Sequence, residues 1–354
     1  MKVAVAGAGK IGHTVAEMLA ESGDFDVSLL DHNPVALAAR PLGGARTAVV
    51  DVADKGALYG LLSDAEVVIS ALPHFLEAMV AEAALAAHVH YFNLTEDMPT
   101  AKRIQTLAAG ADRLFMPQCG LAPGFVAIVA SHLVQQFDEV HEVRLRVGAL
   151  PQYPDNALKY NLTWSVDGLI NEYCNPCEAI HDGAIVHTPP LEGLEDFLLD
   201  GVRYEAFSTS GGVGTLCESL LGRVRTLNYK TIRYPGHRDR IWMLARDLRL
   251  CQRREVFKDV IEHAVPVTRQ DVVLIFVTVT GLRDGLLSQE SFVRRIYGDG
   301  TPHGRSAIQK TTASGVCALV DLLREGDLPS RGFLRQEEVA LADVLENRFG
   351  QVYA

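Results

Sequence analysis

The sequence predicts an α/β protein with an N-terminal doubly wound parallel sheet and a C-terminal α+β domain on an open mixed or antiparallel sheet. Three observations predict it. Short apolar runs alternate strictly with helical stretches up to residue 116. The turn Gly7-Ala8-Gly9-Lys10-Ile11-Gly12 joins the first run to the first helix. Beyond a breaker cluster at 120–124 the alternation stops, and strand-like segments follow one another.

The elements follow in order. Residues 3–6 form a short apolar strand, and 11–20 (IGHTVAEMLA) repeat apolar positions at helical spacing. The second strand is 27–30, followed by a helix around 34–39. The third strand is 48–52, with Asp54 placed to cap a helix over 55–62. Strands at 66–71, 89–94 and 113–116 flank helices at 78–87 and 99–110. Strands separated by single helices pair in parallel through right-handed crossovers, which gives a Rossmann-type sheet. After residue 124 one helix (125–136) precedes strand-like stretches at 140–147, 228–234 and 272–279, for which antiparallel pairing is expected. A helical segment at 306–323 is expected to pack back on the first domain. The implied boundaries are 1–120 for the nucleotide domain, 121–304 for the second domain and 305–354 for the tail.

At 354 residues, 48% hydrophobic and 22% charged, the chain has an ordinary composition for a folded soluble protein of two domains. Its formal net charge of −11 makes nucleic acid and anionic membranes poor partners, since both need a concentrated positive field. No charged and apolar leader precedes the first strand, so no signal peptide is expected. The longest apolar run, 272–279, has the length of a strand and not of a membrane span. The expectation is a cytoplasmic protein. Of six cysteines, Cys174 and Cys177 form a CxxC with no second ligand pair, so reduced thiols and no metal site are expected.

A GxGxxG turn is informative only between a strand and a helix, which is where this one lies. Gly7 permits the tight turn, Gly9 leaves room for a pyrophosphate, and Gly12 lets helix and strand pack closely. The helix start at Lys10 and Ile11 offers N–H groups to phosphates. Asp31 ends the second strand nineteen positions after Gly12 and can accept bonds from ribose hydroxyls while repelling a 2′-phosphate. NAD is therefore favoured over NADP, with Arg40 and Arg46 near enough in sequence to keep NADP open. Asp51 and Val52, after strand three, fall where an adenine edge is met. Ala71, Leu72 and Pro73 end strand four and should border the cofactor.

His74, Glu96 and Asp97 follow strands four and five and are candidate proton carriers, as is Tyr160. In the second domain, the helix start after Gly124 can receive a carboxylate. Asn161, Thr163 and Trp164, with Ser210 and Gly211, form polar clusters of the kind that touch substrates. Arg233 alternates with apolar positions on a strand; facing inward it needs an anion, either a substrate carboxylate or an internal acid.

Together GAGKIG, CGLAPGF, VGALPQYP…LKYNLTWSVDGLINEY, YEAFSTSGGVGTL and YKTIRYPGH resemble the saccharopine dehydrogenase family, and more closely its lysine 6-dehydrogenase branch. The resemblance implies a homodimer and NAD(P)-dependent oxidation of an amino acid's carbon–nitrogen bond through an imine. Trp164 and Ser165 match saccharopine reductases, which tend to carry lysine at Asn161 and differ at 208–212. Lysine-type enzymes share Asn161 and the TSGG stretch, whereas Trp164, Glu96 and Asp97 depart from them. Alternatives are reductive condensation of an amine with an oxo acid, and a non-catalytic NAD-binding redox sensor.

Overall fold

Strands buried on both faces explain the apolar runs of the first hundred residues. The structure, a computed structural model, describes residues 1–301 and 304–354. The chain opens with β1 (Lys2–Ala6), α1 (Lys10–Glu21), β2 (Asp26–Asp31), α2 (Pro34–Leu37), β3 (Arg46–Val49) and α3 (Lys55–Leu62). It continues through β4 (Val67–Ser70), α4 (His74–Ala86), β5 (His90–Asn93), α5 (Met98–Ala108), β6 (Leu114–Met116) and α6 (Phe125–Val134). In β1, Val3, Ala4, Val5 and Ala6 are all buried, as parallel strands between helix layers require. Asp54 caps α3 through Gly56 N at 3.1 Å, and Asn33 caps the short α2 through Val35 N at 2.9 Å.

The next stretch holds β7 (Glu139–Pro151), α7 (Val166–Cys174), β8 (Cys177–His181), β9 (Ala184–Thr188), β10 (Glu195–Leu199) and β11 (Val202–Ser208). Then come α8 (Leu216–Ser219), β12 (Val224–Arg233), α9 (His237–Trp242), α10 (Arg254–Ala264), β13 (Asp271–Arg283) and β14 (Leu286–Tyr297). The tail carries α11 (Ala307–Glu325), β15 (Gly332–Phe333) and α12 (Leu341–Glu346).

Two compact units result: residues 1–128 with 309–354, and residues 129–308. The first holds a seven-stranded parallel sheet in the order β15-β6-β5-β4-β1-β2-β3. Its seventh strand comes from the tail, where Gly332 N donates to Arg113 O at 3.0 Å. Tyr353 stacks on Phe125 with ring centroids 3.7 Å apart, so the tail completes the core of the first unit.

The second unit is a mixed sheet, β10-β11-β12-β7-β13-β14, with β12 parallel to β7 and the other pairs antiparallel. Three of its hairpins turn on Asp-Gly pairs, Asp182-Gly183, Asp200-Gly201 and Asp284-Gly285. Both residues of each turn have positive φ (47° and 79°, 49° and 79°, 52° and 74°), the signature of the tight turn that Asp-Gly favours. The helices α7, α9 and α10 cluster over Tyr160, Leu162, Phe207 and Phe257.

Two expectations are corrected here. The stretches at 140–147 and 228–234, expected to pair antiparallel, fall on β7 and β12, which pair in parallel because the long excursion through α7 and β8–β11 lets the chain cross back. Cys174 is not a free thiol but is bonded to Cys251, whose Cα lies 5.4 Å away across 77 residues of sequence. The CxxC spacing concealed this because Cys174 ends α7, whereas Cys177 opens β8 and stays free and buried. Among the described residues no helix is long and apolar enough to cross a membrane, and no group of three His, Cys, Asp or Glu is placed to hold a metal.

Candidate functional site

In the first unit the glycine loop is shaped by contacts that exclude side chains. Gly7 has φ +107°, and a Cβ there would meet Ala71 O at 2.8 Å. A Cβ on Gly12 would fall 1.8 Å from Gly7 O. At Gly9, which caps α1, a Cβ meets nothing within 4 Å, so the loop faces open space where a phosphate can approach the N–H groups of Lys10 and Ile11. Asp31 lies at the end of β2. Its Oδ2 accepts from Ala8 N at 2.7 Å and its Oδ1 from Asn33 N at 2.8 Å, which fixes the carboxylate against the glycine loop. These residues fit a dinucleotide.

The remaining predicted positions on this unit take distinct places. Asp51 is exposed and folds back on Ala53 N at 2.9 Å, and Val52 is buried. Ala71 presses on Gly7, Leu72 is half-buried, and Pro73 caps α4. His74 opens α4, edge-on to the Phe75 ring at 5.7 Å. Asp97 caps α5, its Oδ2 accepting from Thr100 N at 2.9 Å and Thr100 Oγ1 at 2.6 Å, so one of its oxygens serves a helix start. Glu96 is half-buried. Gly124 does precede α6, but Phe125 N and Val126 N donate to Gly120 O at 2.9 Å and Leu121 O at 3.1 Å. The chain itself closes the helix start that was expected to receive a carboxylate.

Beneath the ends of β4 and β5 lies a group that the sequence reading missed. Glu77 is fully buried; its Oε2 accepts from Tyr91 Oη at 2.6 Å and Asn93 Nδ2 at 3.2 Å. Burial pushes its carboxyl up to about 8, with Tyr91, Ser70 and Asn93 opposing the rise and Glu96 adding to it.

In the second unit the predicted residues converge on α7. Arg233 is 2% exposed, and its guanidinium lies 4.9 Å over the Tyr160 ring. Its Nη2 meets Glu172 Oε2 at 3.4 Å, its Nε donates to Tyr173 Oη at 3.3 Å, and its Nη1 donates to Ile232 O at 3.0 Å. Of the two partners left open for Arg233, the internal acid is present. Burial opposes the charge, but Tyr173, Tyr160 and Glu172 together hold the guanidinium protonated. His237 Nδ1 lies 2.8 Å from Leu158 O, which can only accept, so His237 Nε2 accepts from Tyr173 Oη at 3.0 Å. Burial, helped by Arg233, lowers His237 to about 3, which keeps the ring neutral.

Around this network sit unsatisfied hydroxyls. Tyr160 Oη, Thr163 Oγ1 and Thr209 Oγ1 are buried and lack a hydrogen-bond partner. Thr163 and Trp164 lie beside the Tyr160 hydroxyl without well-formed geometry. Ser210 joins the cluster through Ser210 Oγ to Asn171 O at 2.8 Å, with Gly211 following at φ +89°. Asn161 is buried, and its Nδ2 donates to Asp155 Oδ1 at 3.4 Å. The Trp164 indole lies against Gly168, where a Cβ would come within 2.2 Å of the ring. A cavity of about 470 Å³ between the β8–β9 hairpin and β12 is lined by none of the residues expected to touch substrate.

A Rossmann sheet with a glycine loop and an acid at the end of its second strand defines a dinucleotide-binding protein, here joined to a mixed-sheet domain with a buried polar cluster. Comparison with known proteins makes this specific. Family models match both parts: the saccharopine dehydrogenase NADP binding domain over residues 3–111, and the saccharopine dehydrogenase C-terminal domain over residues 120–351. The chain belongs to the saccharopine dehydrogenase family. It is 28% identical over 195 residues to saccharopine dehydrogenase (NADP(+), L-glutamate-forming) of Saccharomyces cerevisiae, covering 52% of this chain and 43% of that one. It is 22% identical over 252 residues to mitochondrial alpha-aminoadipic semialdehyde synthase of Mus musculus, covering 67% of this chain and 27% of that one. The chain thus spans less than half the length of these curated relatives. The solved apo structure of the yeast saccharopine dehydrogenase (L-Glu forming) has the same fold, with a TM-score of 0.78 at 18% identity over 95% of this chain and 94% of that one.

Proposed function

We propose that the protein is an NAD(P)-dependent oxidoreductase acting on the carbon–nitrogen bond of an amino acid, with NAD as its preferred cofactor. The observation that carries the nucleotide half is Asp31, whose carboxylate ends β2 and is fixed on Ala8 N of the glycine loop. A 2′-phosphate there meets a negative charge already held in place, whereas ribose hydroxyls find an acceptor. The family model and the yeast relative carry NADP in their names, and this chain's own acid supports NAD against that background. The cofactor, when bound, supplies the hydride acceptor. Gly9, Lys10, Ile11 and Asp31 hold it, and Ala71, Leu72 and Pro73 border it.

The substrate half rests on the buried hydroxyls of Tyr160, Thr163 and Thr209. Buried polar groups are ordinarily hydrogen-bonded, so buried hydroxyls without a well-formed partner are suited to a polar ligand. Trp164 supplies an apolar wall. Arg233, neutralised by Glu172, acts by holding Tyr160 and Tyr173 in place. Glu96, Asp97, His74 and Tyr160 are the candidates to carry the proton from the amine.

A lysine-type deamination and a saccharopine-type reaction are both served by this arrangement, and assay separates them. NAD or NADP reduction is followed at 340 nm with lysine, ornithine and saccharopine, and NAD(P)H oxidation with lysine plus an oxo acid. Reduction of NAD by a single amino acid supports the deaminating reading. Turnover requiring two organic substrates supports the condensing one, and no turnover by any of them contradicts both. We propose further that the protein is a homodimer.

A further inference from the structure

The first unit contains a buried acid that neither the glycine loop nor the proposed proton carriers explain. Glu77 points from α4 into the sheet, and its neighbours are the ends of three adjacent parallel strands. Its Oε2 takes Tyr91 Oη at 2.6 Å and Asn93 Nδ2 at 3.2 Å, both from β5, and Asn93 Nδ2 also reaches Tyr91 Oη at 3.0 Å. From Asn93 the network passes outward. Its Oδ1 accepts Gln118 N at 2.9 Å and Thr95 N at 3.4 Å, and its main-chain oxygen accepts Cys119 N at 2.8 Å. Thr95 lies in the loop after β5, and Gln118 and Cys119 lie in the segment after β6. On the other side, Glu77 stands beside Ser70, the last residue of β4. The next residue, Ala71, is the one against which Gly7 is packed.

The geometry points to Glu77 as a positioning residue for the nucleotide crevice: through Asn93 and Ser70 it aligns the carboxyl ends of β4, β5 and β6. In an open parallel sheet those ends carry the ligand-binding loops. This inference rests on the reading that the crevice takes NAD(P).

The details of the bonding fix how Glu77 acts. Two oxygens are left without a hydrogen-bond partner of good geometry, Glu77 Oε1 and Ser70 Oγ, and both are buried. A proton on Oε1 turns that oxygen into a donor facing Ser70, while Oε2 remains an acceptor for Tyr91 and Asn93. The groups that act on Glu77 are Tyr91, Ser70, Asn93 and Glu96, none of them a cation, with the Cys119 thiol behind Tyr91. Burial among these partners raises the carboxyl to about 8, so the neutral acid is the resting form at neutral pH. One donor and one acceptor on a planar group is also what a glutamine offers.

The sign of the pH dependence follows. Between the ordinary carboxyl value near 4.5 and about 8, the folded protein keeps a proton that the unfolded chain has released. Stability therefore falls as pH rises through that window.

Three proteins test the proposal: wild type, E77Q and E77L. NADH and NADPH affinities are measured by fluorescence titration, and urea stability is measured at several values from pH 5 to pH 9. Glu77→Gln should keep the tighter nucleotide's Kd within about twofold of wild type, and Glu77→Leu, which strands Asn93 and Ser70, should weaken it about tenfold or more. Glu77→Gln should also remove the decline in stability toward pH 8 that wild type shows. Equal affinity in all three proteins would overturn the positioning role. So would a Glu77→Gln protein as weak as Glu77→Leu, or one that keeps the wild-type pH slope. If Glu77→Leu fails to fold, the glutamine variant's pH slope and affinity still decide. Failure of wild type to bind either nucleotide contradicts the proposed function instead, which keeps the two failures apart.

Discussion

Two buried polar clusters, one in each unit, solve the same problem in opposite ways. Around Glu77 the hydrogen-bond partners are neutral, so burial, with Glu96 adding to it, drives the acid up to about 8 and no cation acts on it. Around Arg233 a cation sits at the centre, balanced by Glu172 at 3.4 Å, and burial with that cation drives His237 down to about 3. The first cluster avoids charge and serves as a peg under strand ends. The second keeps its charge and fills its protein-side bonds, yet leaves the hydroxyls of Tyr160, Thr163 and Thr209 without partners. Both clusters leave buried oxygens without well-formed partners, Glu77 Oε1 and Ser70 Oγ in the first and those hydroxyls in the second, so the two differ in charge and not in completeness.

The largest break in this comparison comes from removing the cation. Arg233→Met removes the buried cation beside the half-buried Glu172, and with it the bonds to Tyr173 and Ile232 O, and should cost about 3–5 kcal/mol of unfolding free energy in urea. Adding Glu172→Gln to the same chain should recover part of that loss. A single-variant cost below about 1 kcal/mol would show the pair to be solvated and weak.

A smaller effect is expected where the aromatic wall meets its support. Gly168→Ala puts a Cβ within 2.2 Å of the Trp164 ring and should cost about 1–3 kcal/mol of stability. It should also raise the KM of the amino-acid substrate while leaving that of the nucleotide in place. An unchanged tryptophan emission spectrum together with an unchanged KM would remove Trp164 from the substrate side.

How much of this was legible in sequence depends on how local each signal is. The parallel sheet was readable because its apolar runs, its glycine loop and the cap at Asp54 are all short-range features. Most strands fell within a few residues of their expected ends, although β13 extends four residues beyond the expected strand at 272–279. The second sheet was read less completely, yet its signal was present. Three Asp-Gly pairs mark three hairpins, and noticing them would have placed β9, β10 and β14. No short-range pattern announced β15, because Gly332–Phe333 is two residues long and pairs with β6 more than two hundred residues earlier.

The site divides in the same way. Gly7, Gly9, Gly12 and Asp31 declare themselves by spacing along the chain, and the structure brings them together at one loop. Arg233 was recognised as an inward arginine, but its partner Glu172 lies sixty-one positions away and left no mark in the sequence. Glu77 lay just before the helix expected at 78–87 and carried no signal of its own. Only the fold reveals that it faces Tyr91 and Asn93, because the distance from α4 to β5 is set by packing. The bond between Cys174 and Cys251 was missed for the same reason.

The central claim is that a glycine loop with Asp31 at its side serves NAD for an amino-acid oxidoreductase. Its most direct test is the affinity of the wild-type protein for NADH against NADPH, titrated by nucleotide fluorescence under one set of conditions. With the Asp31 carboxylate held on Ala8 N at 2.7 Å, NADH should bind at least about tenfold more tightly. NADPH binding as tightly as NADH, or more tightly, would contradict it.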